Sequence, residues 1–520
     1  MNYHPEGIFV WDTWYFHHEG VSHCIHLQQL RRGETPAGVL EEEFSAERGA
    51  LGHATSTDLF AWKTQPTALY RGAPGSYDDY DLWTGCVVRA GETFFLFYTA
   101  RSSRERGSIN RIALATSRDT VHWERHPGNP IITPDSRWYH GESNPRPFTR
   151  SLWPTVDCRD LCVVRDPEGT GYWGFYAARQ PAPEIASTAV IALIHSDDLV
   201  HWTHHPPCFA PRKYACIEVP EVFYLEGRWY LLCLTGNGYG QRNRTSEPNI
   251  GGPTTIYAVA SRPQGPYMEL DRNVLIGSES WQGFSGKTLE VDGKRYLLYT
   301  QGERGSGSSL GSTFGSVATP KLLTTDRAGH LLLTYVPRIE DYSREDLLST
   351  ARRRVLVNRG QWGSLGQWRE SEGRVEGGCA NDWAMQVYDA SPGDFVFTAV
   401  VTLEEGRSAG LVFRLRGADL YSGAYVVLLD FDAQEVIFTK IVEFPRIEGR
   451  QWVLGRGKPY HMRVVGLGAA YNVYLDDILC LQLYNADLAG GKLGLFVEQG
   501  RASFRDLQAL VLADTPREGA

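Results

Sequence analysis

The stretches ATSTDLFAWK at 54–63, ATSRDTVHWE at 115–124 and IHSDDLVHWT at 194–203 repeat one pattern along the chain. In each stretch a Ser stands two residues before an Asp, and a Trp follows four residues after that Asp. A degenerate fourth copy, VASRPQGPYME, ends near Tyr267, and a fifth, at 317–333, keeps the rhythm of strand, turn and strand but lacks the Trp. Self-similarity at a spacing of roughly 60 residues predicts about five copies of one structural unit.

Alternating apolar strands precede these copies, and a turn that contains Gly joins them. The clearest examples are CVVRAGETFFLFYTA at 86–100, LCVVRDPEGTGYWGFYAA at 161–178, VFYLEGRWYLLCLT at 222–235 and KTLEVDGKRYLLYTQ at 287–301. Period-two strands that flank such turns are typical of β-hairpins. A four-strand meander repeated about five times predicts a five-bladed β-propeller, because each blade buries its faces against its neighbours. A row of separate small domains is the alternative. The lack of a long amphipathic helix excludes the β/α folds.

The repeat stops after its fifth copy, so we predict that the propeller spans residues 1–336. Residues 337–354 are polar and charged and predict a linker with a short helix from Ser343. From 355 to 513, short strands such as AGLVFRLR and GAYVVLLDFD alternate with Gly, Asp and Asn turns and predict a β-sandwich. The last residues, 514–520, are expected to be disordered. The predicted fold class is therefore all-β, a five-bladed propeller followed by a sandwich.

Composition narrows the classes of function. With 520 residues the chain is long enough for two or more domains, and 42% hydrophobic with 22% charged residues is ordinary for a globular protein. The net charge of −9 and the lack of a basic cluster argue against nucleic acid and anionic membranes as partners. The 15 Trp and 26 Tyr residues offer flat apolar faces with a polar edge, which suit a packed core and also suit sugar rings.

Cysteine usage and the first residues bear on the compartment. The nine cysteines include no CxxC pair and predict free thiols in a reducing compartment. The beginning, MNYHPEGIFVWDTWYF, lacks a cationic segment followed by an apolar one, and no run approaches the ~20 apolar residues of a membrane span. A cytoplasmic protein is therefore expected. His23 and His26 have no third ligand at metal spacing, so we predict neither a metal nor another cofactor.

Three acidic residues lie in or beside short apolar strands: Asp12 in FVWDTWYF, Asp160 in CRDLCVV and Glu218 in CIEVPEVFY. An unpaired carboxylate is costly in such surroundings. The repeat places the three acids on the innermost strands of the first, third and fourth blades, where strands crowd around the propeller axis. Carboxyl groups that lie together in one pocket are the catalytic groups that most glycosidases use to cleave a glycosidic bond.

Five motifs occur in order along the first domain. They are GHATSTDLFAWKTQPTAL at 52–69, DLWTGCVV at 81–88, INRIALATSRDTVHWERHPGNPII at 109–132, CRDLCVVRDPEGTGYW at 158–173 and IEVPEVFYLEGRWYLL at 217–232. Together they resemble the β-fructofuranosidase clan, glycoside hydrolase families 32 and 68, and the resemblance covers residues 8–335. Thr84 and Cys86 replace the two Ser residues of that clan's Trp-Ser-Gly-Ser strand, Leu161 replaces the Pro of Arg-Asp-Pro, and Val219 replaces the Cys of Glu-Cys-Pro. Family 32 also carries a sandwich after its propeller.

The resemblance implies that Asp12 is the nucleophile, that Asp160 stabilises the transition state and that Glu218 is the general acid/base. A retaining glycosidase needs one ionised carboxylate at the sugar and one protonated carboxyl at the leaving oxygen, about 5–5.5 Å apart. The run WDTW around Asp12 lacks the Asn-Asp-Pro-Asn-Gly of family 32 and is closer to the Trp-Asp-Ser-Trp of family 68. The role of Asp12 is the same in either alignment.

Substrate-binding residues are predicted around the three acids. The expected apolar walls of the sugar pocket are Trp11, Trp14, Trp83 and Trp281. Arg159 is expected to donate to sugar hydroxyls or to orient an acid. Gln28 resembles the Gln that lines the family pocket. Glu221 is expected to tune Glu218 or to bind a sugar hydroxyl.

Other conspicuous residues are predicted to be structural. Asp166, in VRDPEG, spells the Arg-Asp-Pro motif, but the adjacent Pro and Gly place it in the tight turn of a hairpin. Trp62, Trp123 and Trp202 recur with the repeat, so we expect them to pack the blades rather than to bind a ligand.

These features predict a retaining glycoside hydrolase that cleaves β-fructofuranosides, such as sucrose, fructo-oligosaccharides, or levan and inulin fragments, with a small molecule or oligosaccharide as its partner. Two other enzymes fit the same residues: a fructosyltransferase that uses the same intermediate, and a furanosidase for another sugar such as an arabinofuranoside. A non-catalytic carbohydrate-binding propeller is the alternative of a different class. The presence of all three acids argues against it.

Overall fold

The structure of the protein is a computed structural model. It describes residues 1–30, 49–145, 155–181, 188–236, 253–277, 284–303, 315–349, 353–356, 366–417, 423–441 and 445–517. The chain divides into two compact units, Met1–Leu332 and Leu333–Ala520. Strands dominate both units, and no helix in the described ranges is long and apolar enough to cross a membrane. The nine cysteines are free thiols, as predicted.

The first unit is a β-propeller of five blades, each an antiparallel sheet whose strands follow one another in sequence. The first blade holds β1 (Ile8–His18), β2 (Val21–Leu30), β3 (Leu51–Ser56) and β4 (Lys63–Leu69). The second holds β5 (Asp81–Ala90), β6 (Thr93–Arg101), β7 (Asn110–Ser117) and β8 (Glu124–Arg125), with a 3₁₀ helix at Ser103–Glu105. The third holds β9 (Arg159–Arg165), β10 (Tyr172–Arg179), β11 (Ala189–Ser196) and β12 (Thr203–Phe209). The fourth holds β13 (Glu218–Leu225), β14 (Arg228–Thr235), β15 (Thr254–Ala260) and β16 (Met268–Gly277). The fifth holds β17 (Phe284–Val291), β18 (Lys294–Gly302), β19 (Gly315–Val317), β20 (Lys321–Thr325) and β21 (Leu331–Thr334).

The repeated Ser and Asp build the turn between the third and fourth strands of a blade. The Ser56 hydroxyl accepts from the backbone N–H of Leu59 at 2.9 Å, and Asp58 Oδ1 accepts from the N–H of Phe60 at 2.9 Å. The second and third copies of the repeat make the same bonds. The repeated Trp rings pack in the apolar clusters of the propeller, so the prediction that they are packing residues is confirmed.

The propeller closes into a ring. The first strands of successive blades are neighbours all the way round, from β1 through β5, β9, β13 and β17 back to β1. Pairing of Val10 with Gly315 and of Tyr3 with Val317 joins the first blade to the fifth. Residues that are far apart in sequence therefore face the same axis.

Each first strand carries one extra residue relative to its partner, a β-bulge. The shifts fall between Trp11 and Thr13 in β1, between Trp83 and Gly85 in β5, between Arg159 and Cys162 in β9, between Glu218 and Glu221 in β13, and between Phe284 and Lys287 in β17. A bulge bends its strand and re-aims the side chains beside it. All five bulges lie near the beginning of their strands. The side chains at the bulges therefore form a layer whose directions differ from those of the side chains further along the same strands.

The second unit is a β-sandwich. Its strands are β22 (Ser343–Asp346), β23 (Arg353–Leu356), β24 (Gln367–Ser371), β25 (Arg374–Tyr388), β26 (Phe395–Glu405), β27 (Ser408–Leu415), β28 (Ala424–Asp430), β29 (Glu435–Ile441), β30 (Arg446–Gln451), β31 (Tyr460–Leu467), β32 (Ala470–Leu475), β33 (Ile478–Tyr484) and β34 (Lys492–Leu512). One sheet runs from β34 through β27, β28 and β29 to β30, and the other from β34 through β26, β31 and β32 to β33. The inward residues of both sheets form one apolar core.

The predicted linker differs in its details. Residues 343–346, expected to begin a short helix, form β22, which pairs with β34, and 3₁₀ helices at Pro337–Tyr342 and Leu347–Ser349 flank it. Pairing with a long neighbouring strand outweighs the weak local helix signal. The exact domain boundaries stay a prediction.

The end of the chain corrects another expectation. We predicted disorder for 514–520, but the backbone N–H of Arg517 donates to Asp341 O at 2.8 Å, and Arg344 Nη2 donates to Thr515 O at 2.7 Å. These bonds tie residues up to 517 to the sandwich. Residues 518–520 lie outside the described residues.

Candidate active site

The structure brings the three predicted acids together. Asp12 is the extra residue of the β1 bulge, Asp160 lies at the bulge of β9, and Glu218 begins β13 at its bulge. All three side chains are buried. The charges of Asp12 and Asp160 each interact with that of Glu218, and with each other. The site is therefore a cluster of carboxyls drawn from three blades.

Two hydroxyl groups hold Asp12. Thr84 Oγ1, from the bulge of β5, donates to Asp12 Oδ2 at 2.8 Å, and the Ser285 hydroxyl, from the bulge of β17, donates to Oδ1. Burial raises the pKa of Asp12 to about 6, and Glu218 adds to the rise, while the two hydroxyls oppose it. The two hydroxyls thus stabilise the ionised form of Asp12, whereas burial and the charge of Glu218 favour its protonated form.

Asp160 sits on a strained stretch of backbone. Its φ of 61° lies in the left-handed region, which a non-glycine residue adopts at a cost. Its N–H donates to Thr99 Oγ1 at 2.9 Å, and its Oδ2 accepts from the Val219 N–H at 3.1 Å. Burial raises the pKa of Asp160 above its usual range, and the charges of Glu218 and Asp12 raise it further. The bond to Val219 ties Asp160 directly to the strand of Glu218.

Arg159 joins two of the acids. Its Nη2 donates to Glu218 Oε2 at 2.9 Å, and its Nε lies 3.4 Å from Asp160 Oδ2. The same guanidinium contacts Asp157, whose carboxylate also contacts Arg179. Buried charges of alternating sign therefore run from Arg179 to the acid cluster. Such a chain fixes Arg159 in place, because every charge has an opposite partner.

The cluster has the chemistry of acid/base catalysis. Three buried carboxyls at close range cannot all ionise easily, so the group favours retaining a proton near neutral pH. Its hydroxyl and guanidinium donors stabilise the remaining negative charge. One ionised and one protonated carboxyl are the pair that glycosidic bond cleavage requires.

The predicted binding residues are distributed unevenly. Trp11 and Trp83 are half-buried and meet edge to face, with ring centroids 6.4 Å apart. Trp83 is further held by Asp81, which accepts from its indole N–H at 2.9 Å, and by the Arg101 guanidinium 3.8 Å above its ring. Both rings stay at the surface of the cluster they pack against. They remain candidates for an apolar wall.

Trp14 departs from the prediction that it lines the pocket. It is only 2% exposed and lies in the apolar core with Ile25 and Leu27. The bulge at Asp12 puts Trp14 on the same face of β1 as Trp11, opposite Ile25 and Leu27, and that face packs inward. Trp11, nearer the beginning of the strand, is half-buried, whereas Trp14, further along the same face, is enclosed by the core.

Four further residues complete the comparison with the predictions. Gln28 is buried on β2, with its side-chain oxygen close to Gly52. Glu221 is held by Lys287 and by Thr288, whose hydroxyl donates to Glu221 Oε1 at 3.0 Å. Trp281 lies outside the described residues. Asp166 lies in the hairpin turn, where its carboxylate accepts from the Glu168 N–H at 3.0 Å, as predicted.

Sequence reasoning missed Ser285, Lys287, Thr99 and Asp157. A signal for Ser285 exists, because Thr84-Gly85 and Ser285-Gly286 place a hydroxyl residue and a Gly at the bulges of two first strands. A Cβ on Gly85 would lie 1.9 Å from the carbonyl oxygen of Phe97, so the bulge of β5 requires Gly there. A comparison of the five first strands would have pointed to Ser285.

A five-bladed propeller whose first strands bring three carboxyls together, followed by a β-sandwich, defines a class: propeller proteins of the glycoside hydrolase type. Residues 43–272 match the family described as Glycosyl hydrolases family 32 N-terminal domain. This match supports, for residues 43–272, the resemblance to the family 32 β-fructofuranosidase clan that the motifs showed.

Curated relatives agree over part of their length. A sucrose-6-phosphate hydrolase of Escherichia coli is 28% identical over 238 residues, which cover 42% of this chain and 43% of that protein. An acid beta-fructofuranosidase of Phaseolus vulgaris is 34% identical over 88 residues, 16% of this chain and 13% of that protein. The chain thus spans less than half the length of these relatives.

Solved structures show the same fold. Sucrose-6-phosphate hydrolase from Lactobacillus gasseri has a TM-score of 0.66 at 12% identity, with 99% of this chain and 93% of that chain covered. Fructan 1-exohydrolase IIa from Cichorium intybus has a TM-score of 0.66 at 14% identity, with 99% and 97% covered. The predicted fold class, propeller followed by sandwich, is confirmed.

Proposed function

We propose that this chain is a retaining glycoside hydrolase that cleaves β-fructofuranosides, among them sucrose, its 6-phosphate and short fructans. The observation that carries the proposal is the convergence of Asp12, Asp160 and Glu218 at bulges of neighbouring first strands. The family match over residues 43–272 and the names of the relatives support the choice of sugar.

In the proposed reaction an oxygen of Asp12 attacks the anomeric carbon of the fructosyl ring, while Glu218 donates its proton to the leaving oxygen. The glycosidic bond breaks as the bond to Asp12 forms, and the first product leaves with that proton. Glu218, now ionised, takes a proton from water, and the water oxygen displaces Asp12. Asp160 hydrogen-bonds the ring hydroxyls as the ring gains positive charge.

The test is a panel of furanosides read by product chromatography. It contains sucrose, sucrose 6-phosphate, a short inulin fragment, a levan fragment and an arabinofuranoside. Release of fructose or fructose phosphate from at least one fructoside is expected. Cleavage of the arabinofuranoside alone would overturn the choice of sugar, and no cleavage of any member would overturn the hydrolase proposal. Larger fructosylated products at high substrate concentration would identify a transferase, because acceptor sugar then replaces water.

Ser285→Ala is expected to lower kcat/KM roughly 10- to 100-fold, because a hydrogen bond to a charged group is worth about 1.5–3 kcal/mol. Without the Ser285 hydroxyl the ionised form of Asp12 loses a donor, so its pKa rises and the acidic limb of the pH–kcat/KM profile moves to higher pH. Ser196→Ala is the control, since it removes a buried hydroxyl from the turn of the third blade. A profile for Ser285→Ala that superimposes on the wild type would contradict the role of the hydroxyl.

A further inference from the structure

A second buried ion pair links the first strands beside the three acids. Lys287 on β17 is 1% exposed, and its Nζ lies 3.4 Å from Glu221 Oε2 on β13. The same Nζ donates to the carbonyl oxygen of Pro220 at 2.7 Å. Glu221 Oε2 also lies 3.8 Å from Cys162 Sγ on β9. The pair therefore spans the third, fourth and fifth blades.

The pair is joined to the acids through the backbone. Lys287 stands two residues after Ser285, which donates to Asp12, and both belong to the bulge of β17. Pro220, which Lys287 holds, stands two residues after Glu218 in the bulge of β13. One ammonium group thus connects the segment that bonds the proposed nucleophile to the segment that carries the proposed acid/base.

The charge of Lys287 also acts on the acids. A buried lysine is costly and requires compensation by negative charge. The titratable groups whose charges interact with that of Lys287 are Glu221 from β13, Asp160 and Cys162 from β9, Cys86 from β5, Cys233 from β14 and Asp12 from β1. Burial raises the pKa of Asp12 and the charge of Glu218 adds to the rise, whereas the charge of Lys287 opposes it. Besides Arg159, Lys287 is thus a second buried cation acting on the acid cluster.

We propose that Lys287 is a positioning residue of the active site, which keeps Asp12 ionised and fixes the Glu218 segment, and that Glu221 limits the effect of its charge. This inference rests on the proposed function for its kinetic test. It assigns Glu221 to the electrostatics of the site rather than to a sugar hydroxyl.

The two members of the pair should shift the pH profile in opposite directions. Lys287→Met removes positive charge, so Asp12 binds its proton more tightly and the acidic limb of kcat/KM moves up by roughly half a pH unit or more. Glu221→Gln removes negative charge and leaves the charge of Lys287 uncompensated. Asp12 then binds its proton less tightly, so the acidic limb of kcat/KM moves to lower pH. A purely structural pair would lower activity in both variants without moving the limb in opposite directions.

Controls separate charge from packing. Lys321→Met is the matched control, because Lys321 is a buried lysine of the same blade whose ammonium donates to Thr319 O at 2.7 Å. It should leave the limb in place. The double variant Lys287→Met with Glu221→Gln removes both charges together, so it should fold and return the limb toward the wild type. Superimposed profiles for both single variants, or shifts of the same sign, would overturn the proposal.

A readout without substrate distinguishes this inference from the proposed function. The pKa of Asp12 is higher in the folded protein than its usual value, so its contribution to stability is present at low pH and is lost as pH rises through about 6. Without the positive charge of Lys287 the pKa of Asp12 rises further, so ionising Asp12 costs the folded state more stability. Lys287→Met should therefore lower Tm more at pH 7 than at pH 4. An equal loss at both pH values would contradict the charge role. If the wild type is inactive on every fructoside but Lys287→Met still loses more Tm at pH 7 than at pH 4, the proposed function is wrong and the inference about Lys287 stands.

Discussion

Asp12→Asn is expected to lower kcat for fructoside hydrolysis by roughly four orders of magnitude or more, the scale on which enzymes lose activity when a nucleophile is removed. The amide cannot form the covalent fructosyl intermediate, because its nitrogen lone pair is delocalised and its oxygen carries no full negative charge. The side chain keeps its shape, and an amide can still pair with the hydroxyls of Thr84 and Ser285. Binding of the sugar should therefore survive.

The measurement combines initial rates on the best substrate of the panel with calorimetric binding and a thermal unfolding curve. Wild-type Tm and a measurable Kd with lost turnover are the expected combination. Asp166→Asn is the matched control, since Asp166 is an acid in a hairpin turn and should leave turnover near the wild type. Turnover of Asp12→Asn within tenfold of the wild type would remove Asp12 from its proposed role.

The propeller could be predicted because its signals are local. Ser56 and Asp58 satisfy backbone N–H groups within a few residues of themselves, so the turn they build leaves a fixed pattern in the sequence. The same pattern at Ser117 and Ser196 gives the repeat its spacing. Repetition then implies the ring, because a blade cannot bury its faces alone.

The acids could be predicted only with the resemblance, and their supports in the fifth blade leave a weaker signal in the sequence. Asp160 and Glu218 stand in motifs, whereas Ser285 and Lys287 belong to the fifth blade, whose copy lacks the repeated Trp. Ser285 and Lys287 reach the acids because both lie in the bulge of β17. A bulge depends on pairing between strands and changes which face of the sheet a residue occupies, so it is not visible in the sequence of one strand.

The sandwich shows a related limit. The stretches GKLGLFVEQG at 491–500 and SFRDLQALVL at 503–512 each have the pattern of a separate short strand, but β34 runs through both of them, from Lys492 to Leu512. Its first part pairs with β27 and its last part with β26, so one strand serves both sheets. Gly500 lies between the two parts, where a Cβ would meet Glu405 O at 2.1 Å. A Gly that reads as a turn in the sequence is here a site of close backbone approach.

Glu218→Gln is expected to lower kcat/KM for sucrose by about 10²- to 10⁴-fold, the usual contribution of general acid/base catalysis. The amide cannot protonate the leaving oxygen, so the loss depends on how much the leaving group needs that proton. A fructoside with an activated aryl leaving group should lose far less in the bond-breaking step. The structure suits this test, because Gln can still accept from Arg159 and so preserves the contact that fixes the side chain.

The same variant separates the two steps of the reaction. With the activated substrate, the fructosyl group should accumulate on Asp12, since no base is left to activate water. Azide needs no base and should restore turnover, with fructosyl azide as the product. Glu221→Gln, the neighbouring acid, should show neither accumulation nor azide rescue, because its carboxylate is engaged by Lys287 and Thr288. If azide rescues Glu221→Gln rather than Glu218→Gln, the acid/base is Glu221 and the roles of the two residues are exchanged.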